Sequence, residues 1–340
     1  MKGKPLSFSL CPLDRRLVVP KPLCSIEEDR ALTLEREGRL IITRKNDGYG
    51  HLLVRDDSTA GVHIHTRTGN EVTTRYPQLV RRLEKLRLPR ETLLNAELCL
   101  GANGKDDVGL FSKVAKSSPK NAAALQEKIG EVRCRIFNIF VHRNRLVTSL
   151  PYQERLALIE KLFTHCDGEI VSPVELVQGM LSEAKSRVRK EVWEGLVLYD
   201  KNAETAIALD SNHDRPPRPV GCWKWKPRDE DDFIVRKWER GTRGKRHENR
   251  MGKLFLSQIN PDTGIEVDCG EVGLGFDDAE RDFFANDDLY PMVVQIEFEY
   301  RFPSGACRNS EFVRVRDDKS TEACVLPEEL RTTAIKPVKK

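Results

Sequence analysis

A lysine closes the apolar run Leu40-Ile41-Ile42-Thr43-Arg44-Lys45 and is followed by Asn46-Asp47-Gly48 before a second run, Leu52-Leu53-Val54. A lysine amine presented beside a turn can attack phosphorus, forming a phosphoramidate that breaks again once its nitrogen is protonated. On its own, however, Asn-Asp-Gly between two strand-like runs reads as a hairpin connection carrying a surface charge. Two further lysines, Lys224 and Lys226 in "GCWKWKP", alternate along one stretch, so they share a strand face and could hold phosphate there. Glu97 interrupts "LLNAELCL" and Glu194 opens "WEGLVLYD". Carboxylates so placed are costly to bury unless a cation meets them, and magnesium takes oxygen ligands. For either glutamate alone, the solvent side of an amphipathic strand is an equal reading.

These residues need a scaffold, and the chain has room for one. With 340 residues, 39% hydrophobic and 32% charged, it can bury two cores. No run reaches the length of a membrane span and the N-terminus lacks the apolar stretch of a signal peptide, so a cytosolic protein is expected (nucleoid, or host cytoplasm if viral), or a nuclear one. Nine scattered cysteines, none spaced C-x-x-C, indicate neither a disulfide framework nor a zinc site. The net charge of +4 permits local basic faces, of which residues 236–250, "RKWERGTRGKRHENR", are one.

From Gly38 to Glu97, short apolar runs between turn residues predict an antiparallel sheet with one inserted helix, "YPQLVRRLEKLRL". Residues 117–130 read as a loop running into a helix; helices are expected over "PYQERLALIEKLFTHC" and over "SPVELVQGMLSEAKSRVRKE", and strands over "VRCRIFNIFVHRNRL", "WEGLVLYD", "TAIALD" and "GCWKWKP". The acidic run "RDEDD" at 228–232 reads as a hinge. Beyond it, five short strands and one helix, "DDAERDFFAN", suit a small barrel of the oligonucleotide-binding (OB) type. The tail "TTAIKPVKK" reads as frayed. The expected class is α+β: antiparallel sheets with helices over 1–228, then an OB-fold barrel over 229–340.

Six stretches in order, Lys45-Asn46-Asp47-Gly48, Thr66-Arg67-Thr68-Gly69, Ala96-Glu97-Leu98, Ile136-Phe137-Asn138, Trp193-Glu194-Gly195-Leu196-Val197 and Trp223-Lys224-Trp225-Lys226-Pro227, resemble the successive nucleotidyltransferase motifs of the ATP-dependent DNA ligases. The family's terminal R-x-D-K is matched by Arg316-Asp317-Asp318-Lys319. Each motif alone is weak; their shared order over residues 30–320 carries the resemblance. It implies a nucleotidyltransferase (adenylation) domain followed by an OB domain. Lys45 would be the nucleophile that takes AMP from ATP, with Lys224 and Lys226 on the phosphates. Glu194 would be a magnesium ligand. Glu97 would serve the ribose and metal-assisted chemistry, and Phe137 would stack on adenine. Arg67 would contact the ribose or the 5′-phosphate, and Arg316 and Lys319 would orient the departing pyrophosphate.

The resemblance breaks at several places. Thr43 stands where the family has a glutamate, Gly50 and His51 fall where an arginine follows K-x-D-G, Asn95 replaces an aspartate, and Tyr199-Asp200 replaces a lysine. His51 is a substitute candidate for the missing phosphate or ribose contact. The implied activity is sealing of nicked double-stranded DNA by a compact two-domain monomer using ATP and Mg²⁺, with residues 236–250 touching the DNA backbone. An RNA ligase or a GTP-using capping-type guanylyltransferase shares the chemistry, and a non-catalytic DNA-binding relative would share the fold.

Overall fold

The structure is a computed structural model. It describes residues 16–18, 24–56, 61–67, 69–101, 105–166, 168–205, 208–210 and 220–331. The chain divides into two compact units, Met1–Lys226 and Pro227–Lys340.

The first unit is built on two mainly antiparallel sheets, each with one short strand paired parallel. In one, Leu40–Lys45 lies beside Gly195–Asp200, which lies beside Cys222–Trp225, with Cys24–Ser25 at the edge. In the other, the spatial order is His63–Thr66, Gly48–Arg55, Thr92–Cys99, Arg133–His142 and Arg145–Leu146, with Val171–Pro173 also paired to Arg133–His142. Leu40–Lys45 and Gly48–Arg55 therefore belong to different sheets, and the hairpin expected at Asn46-Asp47 is instead the crossing between them. Lys45 stands where the chain leaves one sheet for the other.

Apolar periodicity explains the packing. Leu53, Ile64, Leu94, Leu98, Ile136 and Ile139 bury one face of the larger sheet with residues such as Leu79, Leu83, Phe111, Val114 and Ala122 of the helices Pro77–Lys85, Val108–Lys116 and Pro119–Ile129. The caps are legible: the Asp107 side chain accepts from Leu110 N, and Ser118, followed by Pro119, accepts from Asn121 N. Ile42, Leu196 and Leu198 bury the smaller sheet against Ala31 of Glu28–Arg36 and Leu181, Ala184 and Val188 of Leu181–Glu191.

The structure corrects the helix expected over residues 172–191. Its first half is extended: Val174 N donates to Ile136 O of the larger sheet and Val177 N to Ile42 O of the smaller one. Proline at 173 and this strap between sheets outweigh the local apolar spacing, so helix begins only at Leu181. Strand Ala208–Asp210 pairs with Arg16–Val18, while residues 206–207 of "TAIALD" and the tail 332–340 lie outside the described residues.

The second unit is a five-stranded antiparallel sheet in the order Glu266–Val272, Met251–Ile259, Asp229–Arg240, Met292–Phe298, Glu311–Val315, with the helix Asp278–Phe284. Phe233, Leu254, Leu256, Val294, Ile296 and Phe284 form its core. All five expected strands and the helix are present, but the sheet is not a closed barrel. Among the described residues its two edge strands, Glu266–Val272 and Glu311–Val315, form no ladder with each other, and a bridge joins Leu274 to Glu311. The "RDEDD" run is no loose hinge, because Asp229 to Asp232 pair in register with Phe298 to Gln295 and Asp232 is buried. No described helix is long and apolar enough to cross a membrane.

Candidate active site

A cavity of about 730 Å³ opens in the first unit, and the crossing turn forms part of its wall. Eight of the ten residues singled out from the sequence line it: Lys45, His51, Arg67, Glu97, Phe137, Glu194, Lys224 and Lys226. Strand register explains the convergence. Lys45 pairs opposite Gly195, which places it beside Glu194, while Val197 pairs with Lys224 on its other side. Gly195 tolerates this only without a side chain, since a Cβ there would sit 2.2 Å from Trp225 O. In the other sheet, Gly50 lies opposite Glu97.

At the centre, one carboxylate serves two lysines. Glu194 Oε2 is 2.5 Å from Lys45 Nζ and Glu194 Oε1 is 3.0 Å from Lys226 Nζ. Asp47 and Glu97 add further acidity in a region short of water. Burial, then the negative charge of Glu194, pushes the Asp47 carboxyl up to about 6, with Lys45 pulling the other way. Burial raises Glu97 further, to about 8, against the pull of Lys45. Four cations on the same cavity, Arg67, Arg75, Lys116 and Lys224, make no ion pair among the described residues. A cavity wall with that many uncompensated cations is electrostatically incomplete without an anion.

The other end of the cavity is aromatic and apolar. Phe137, Val197, Tyr199 and Cys222 line it, and Tyr199 stacks on Tyr152 with ring centroids 3.7 Å apart. Beneath lies Arg155, only 2% exposed, whose guanidinium donates to Asn138 Oδ1, Leu150 O and Ala203 O. Thr43, where a carboxylate was expected, is fully buried and donates its hydroxyl to Val197 O.

His51 does not take the part suggested for it. The ring is 3% exposed, sits edge-on to Tyr76 and Phe111, and its Nδ1 is 2.7 Å from Tyr49 O. Burial lowers its pKa to about 4, so it is a neutral core residue rather than a phosphate-binding cation. Because this lies below the unfolded value of about 6.5, the neutral ring's contribution to stability is complete above pH 6.5 and is lost as pH falls toward 4. Urea unfolding at pH 7 and pH 5 should show a loss of about 2 kcal/mol that His51→Gln removes. Equal pH sensitivity in both proteins would refute that assignment.

Arg316 and Lys319 lie in the second unit, where both hold the buried Asp232: Arg316 Nη1 is 3.0 Å from each of its oxygens and Lys319 Nζ 2.7 Å from Oδ2. The basic stretch 236–250 is partly neutralised within its own unit, with Arg236 on Glu266 and Arg246 and Arg250 on Asp278.

Sequence reasoning passed over Asp106, Arg155, Arg75 and Lys116. Arg155 carries no legible signal, being a polar residue on an otherwise ordinary helix. Asp106 sits in "GKDDVG", a polar stretch in which nothing marks it out from its neighbours.

The two sheets thus bring a lysine, a glutamate shared between two lysines and several further cations to the wall of one cavity. The family model described as "ATP dependent DNA ligase domain" matches residues 22–208, more than half of the chain, and the chain belongs to that family. It is 26% identical over 267 residues to the multifunctional non-homologous end joining protein LigD of Mycolicibacterium smegmatis, covering 78% of this chain and 31% of that protein. It is 25% identical over 291 residues to a DNA ligase of Thermococcus onnurineus, covering 77% and 49% respectively. The chain thus spans about a third to a half of these relatives' lengths. The fold is similar to that of a Lig E DNA ligase, with a TM-score of 0.60 at 18% identity over 88% of this chain and all of that one.

Proposed function

We propose that this chain is an ATP-dependent DNA ligase that seals nicks in duplex DNA through a Lys45–AMP intermediate. The observation that carries the reading is the Glu194 carboxylate held between Lys45 and Lys226 at the wall of a cation-lined cavity. In the first step Lys45 Nζ attacks the α-phosphorus of ATP. The N–P bond forms, the bond to the bridging oxygen breaks and pyrophosphate leaves. Glu194 Oε2 is the nearest base for the proton shed by the amine. Lys224 and Lys226 face the charge that develops on the α-phosphate. AMP then passes from Lys45 to the 5′-phosphate of the nick, and the 3′-hydroxyl displaces it, closing the phosphodiester.

Adenine would rest at the aromatic end, on Phe137 and near Tyr199, with Arg67 and Glu97 toward the ribose and the 5′-phosphate. Among the described residues no three His, Cys, Asp or Glu side chains converge as a ready metal cage. Mg²⁺ is commonly held by one or two carboxylates together with substrate phosphates. Glu97 and Glu194 would hold it, and bound Mg²⁺ would supply positive charge to the reacting phosphates. Residues 1–228 are read as the adenylation domain. Residues 229–340 are read as an OB-type domain, a reading supported by the five strands and single helix. It would bring Arg316 and Lys319 to the nucleotide.

Incubation with ATP labelled at the α-phosphate should label the protein, and the labelled protein should seal nicked DNA faster than nicked RNA. Label from GTP alone would favour a capping-type enzyme, and no label from either nucleotide would leave a non-catalytic DNA-binding relative.

A further inference from the structure

The turn that presents Lys45 is short and runs between sheets, so the sheet ladders alone leave Asn46 and Asp47 without strand partners. A single side chain takes their place. Asp106 Oδ2 accepts from Asn46 Nδ2 at 2.9 Å and from the Asp47 backbone N at 3.2 Å. Its Oδ1 accepts from Arg133 at 2.7 Å, and the Arg44 guanidinium lies 3.6 Å from Oδ2. The carboxylate is only 5% exposed, so these bonds form where water competes weakly.

The backbone holds Asp106 in turn. The chain folds back sharply after strand Thr92–Cys99, with Asp107 N donating to Leu100 O at 2.7 Å. A Cβ at Gly101 would lie 1.9 Å from Lys105 O, so only glycine permits the fold-back. Asp107 then caps the helix Val108–Lys116, anchoring the far side. Arg44, beside the nucleophile, carries the constraint onward: its guanidinium stacks 4.8 Å from the ring of Trp193, the neighbour of Glu194. Asp106, Arg44, Trp193, Glu194, Lys45 and the turn thus form a closed circuit of contacts.

We infer that Asp106 is a positioning residue that fixes the Lys45 turn and thereby the direction of the lysine amine toward the α-phosphorus. This rests on the reading of Lys45 as nucleophile. Asp106 touches neither nucleotide nor DNA in this assignment and exchanges no proton. Its effect is confined to the two steps in which Lys45 gains or releases AMP. Sealing of a nick that already carries AMP on its 5′-phosphate does not require Lys45 to attack anything.

That difference supplies the test. Asp106→Asn keeps the shape and one acceptor but removes the charge, and Asn46→Ala removes one of the bonds from the turn's own side. Both variants should transfer label from ATP to protein about 10- to 100-fold more slowly in a single turnover. The KM for ATP should stay unchanged, and a pre-adenylylated nick should be sealed at the wild-type rate. Arg133→Met, which removes the partner of Oδ1 and leaves the turn bonds in place, should have the smaller effect on labelling. Wild-type labelling by Asp106→Asn and Asn46→Ala would overturn the assignment. So would parallel loss of labelling and of pre-adenylylated sealing, since that pattern reports general loss of the fold. If Lys45→Ala still took label, the nucleophile reading itself would fail, an outcome separate from either of these.

Discussion

Lys45→Ala should abolish transfer of AMP from ATP to the protein, lowering the single-turnover rate by about 10⁴-fold or more, as expected when a nucleophile is removed from a site whose parts act together. The loss should be chemical rather than structural. The Lys45 side chain is 23% exposed and its carboxylate partner keeps Lys226, so the melting temperature should move by only a few degrees. Lys45→Arg sharpens the point. It restores the positive charge beside Glu194, but a guanidinium stays protonated and is no nucleophile, so labelling should remain absent. If the arginine variant labels, the charge at 45 matters and the amine does not. Sealing of a pre-adenylylated nick by the alanine variant should persist, because that step uses the 3′-hydroxyl as its nucleophile.

The second large effect is expected at Glu194. This carboxylate is ion-paired with both Lys45 and Lys226, and it is 17% exposed. Glu194→Gln preserves size and removes charge. Lys45 and Lys226 each lose an ion pair, and the amine loses its nearest base. Labelling should fall by about 10²- to 10³-fold, the range seen when one preorganised electrostatic group is removed from an active site. Lys226→Ala should cost less, because Lys224 remains on the same strand face. Single-turnover labelling across Mg²⁺ concentrations separates the roles of Glu194. A defect that high Mg²⁺ partly restores points to metal binding, whereas one insensitive to Mg²⁺ points to the lysine contacts. Labelling by Glu194→Gln at the wild-type rate would remove the carboxylate from both.

Much of this molecule is legible before folding. Alternation in "GCWKWKP" placed Lys224 and Lys226 on one strand face, charged residues inside apolar runs marked Glu97 and Glu194, and the order of motifs tied these to Lys45. Periodicity located the helices Pro77–Lys85, Pro119–Ile129 and Tyr152–Leu162 and all five strands of the second unit, since a pattern of burial along one element is a local property, but it missed the helix Val108–Lys116. Local rules failed where the chain serves two elements at once. Asn-Asp-Gly reads as a hairpin from either side, and only the ladders show that its flanking strands join different sheets. Residues 172–180 have helical spacing, yet backbone bonds to both sheets hold them extended. The acidic run at 229–232 reads as solvated, yet it enters a strand where Arg316 and Lys319 neutralise Asp232.

By itself, then, the sequence determined which residue types could carry the chemistry, the period of the elements that bear them, and the family order. The tertiary structure alone decided that one carboxylate is shared by Lys45 and Lys226, that His51 is a neutral core ring, and that Asp106 anchors the nucleophile's turn. The physical reason is range. Propensity and periodicity act over a few neighbouring residues. The shared carboxylate joins positions 149 and 32 residues apart from it in the chain, and the anchoring carboxylate reaches 60 residues back to Asn46; such pairings exist only once strand register has brought them together.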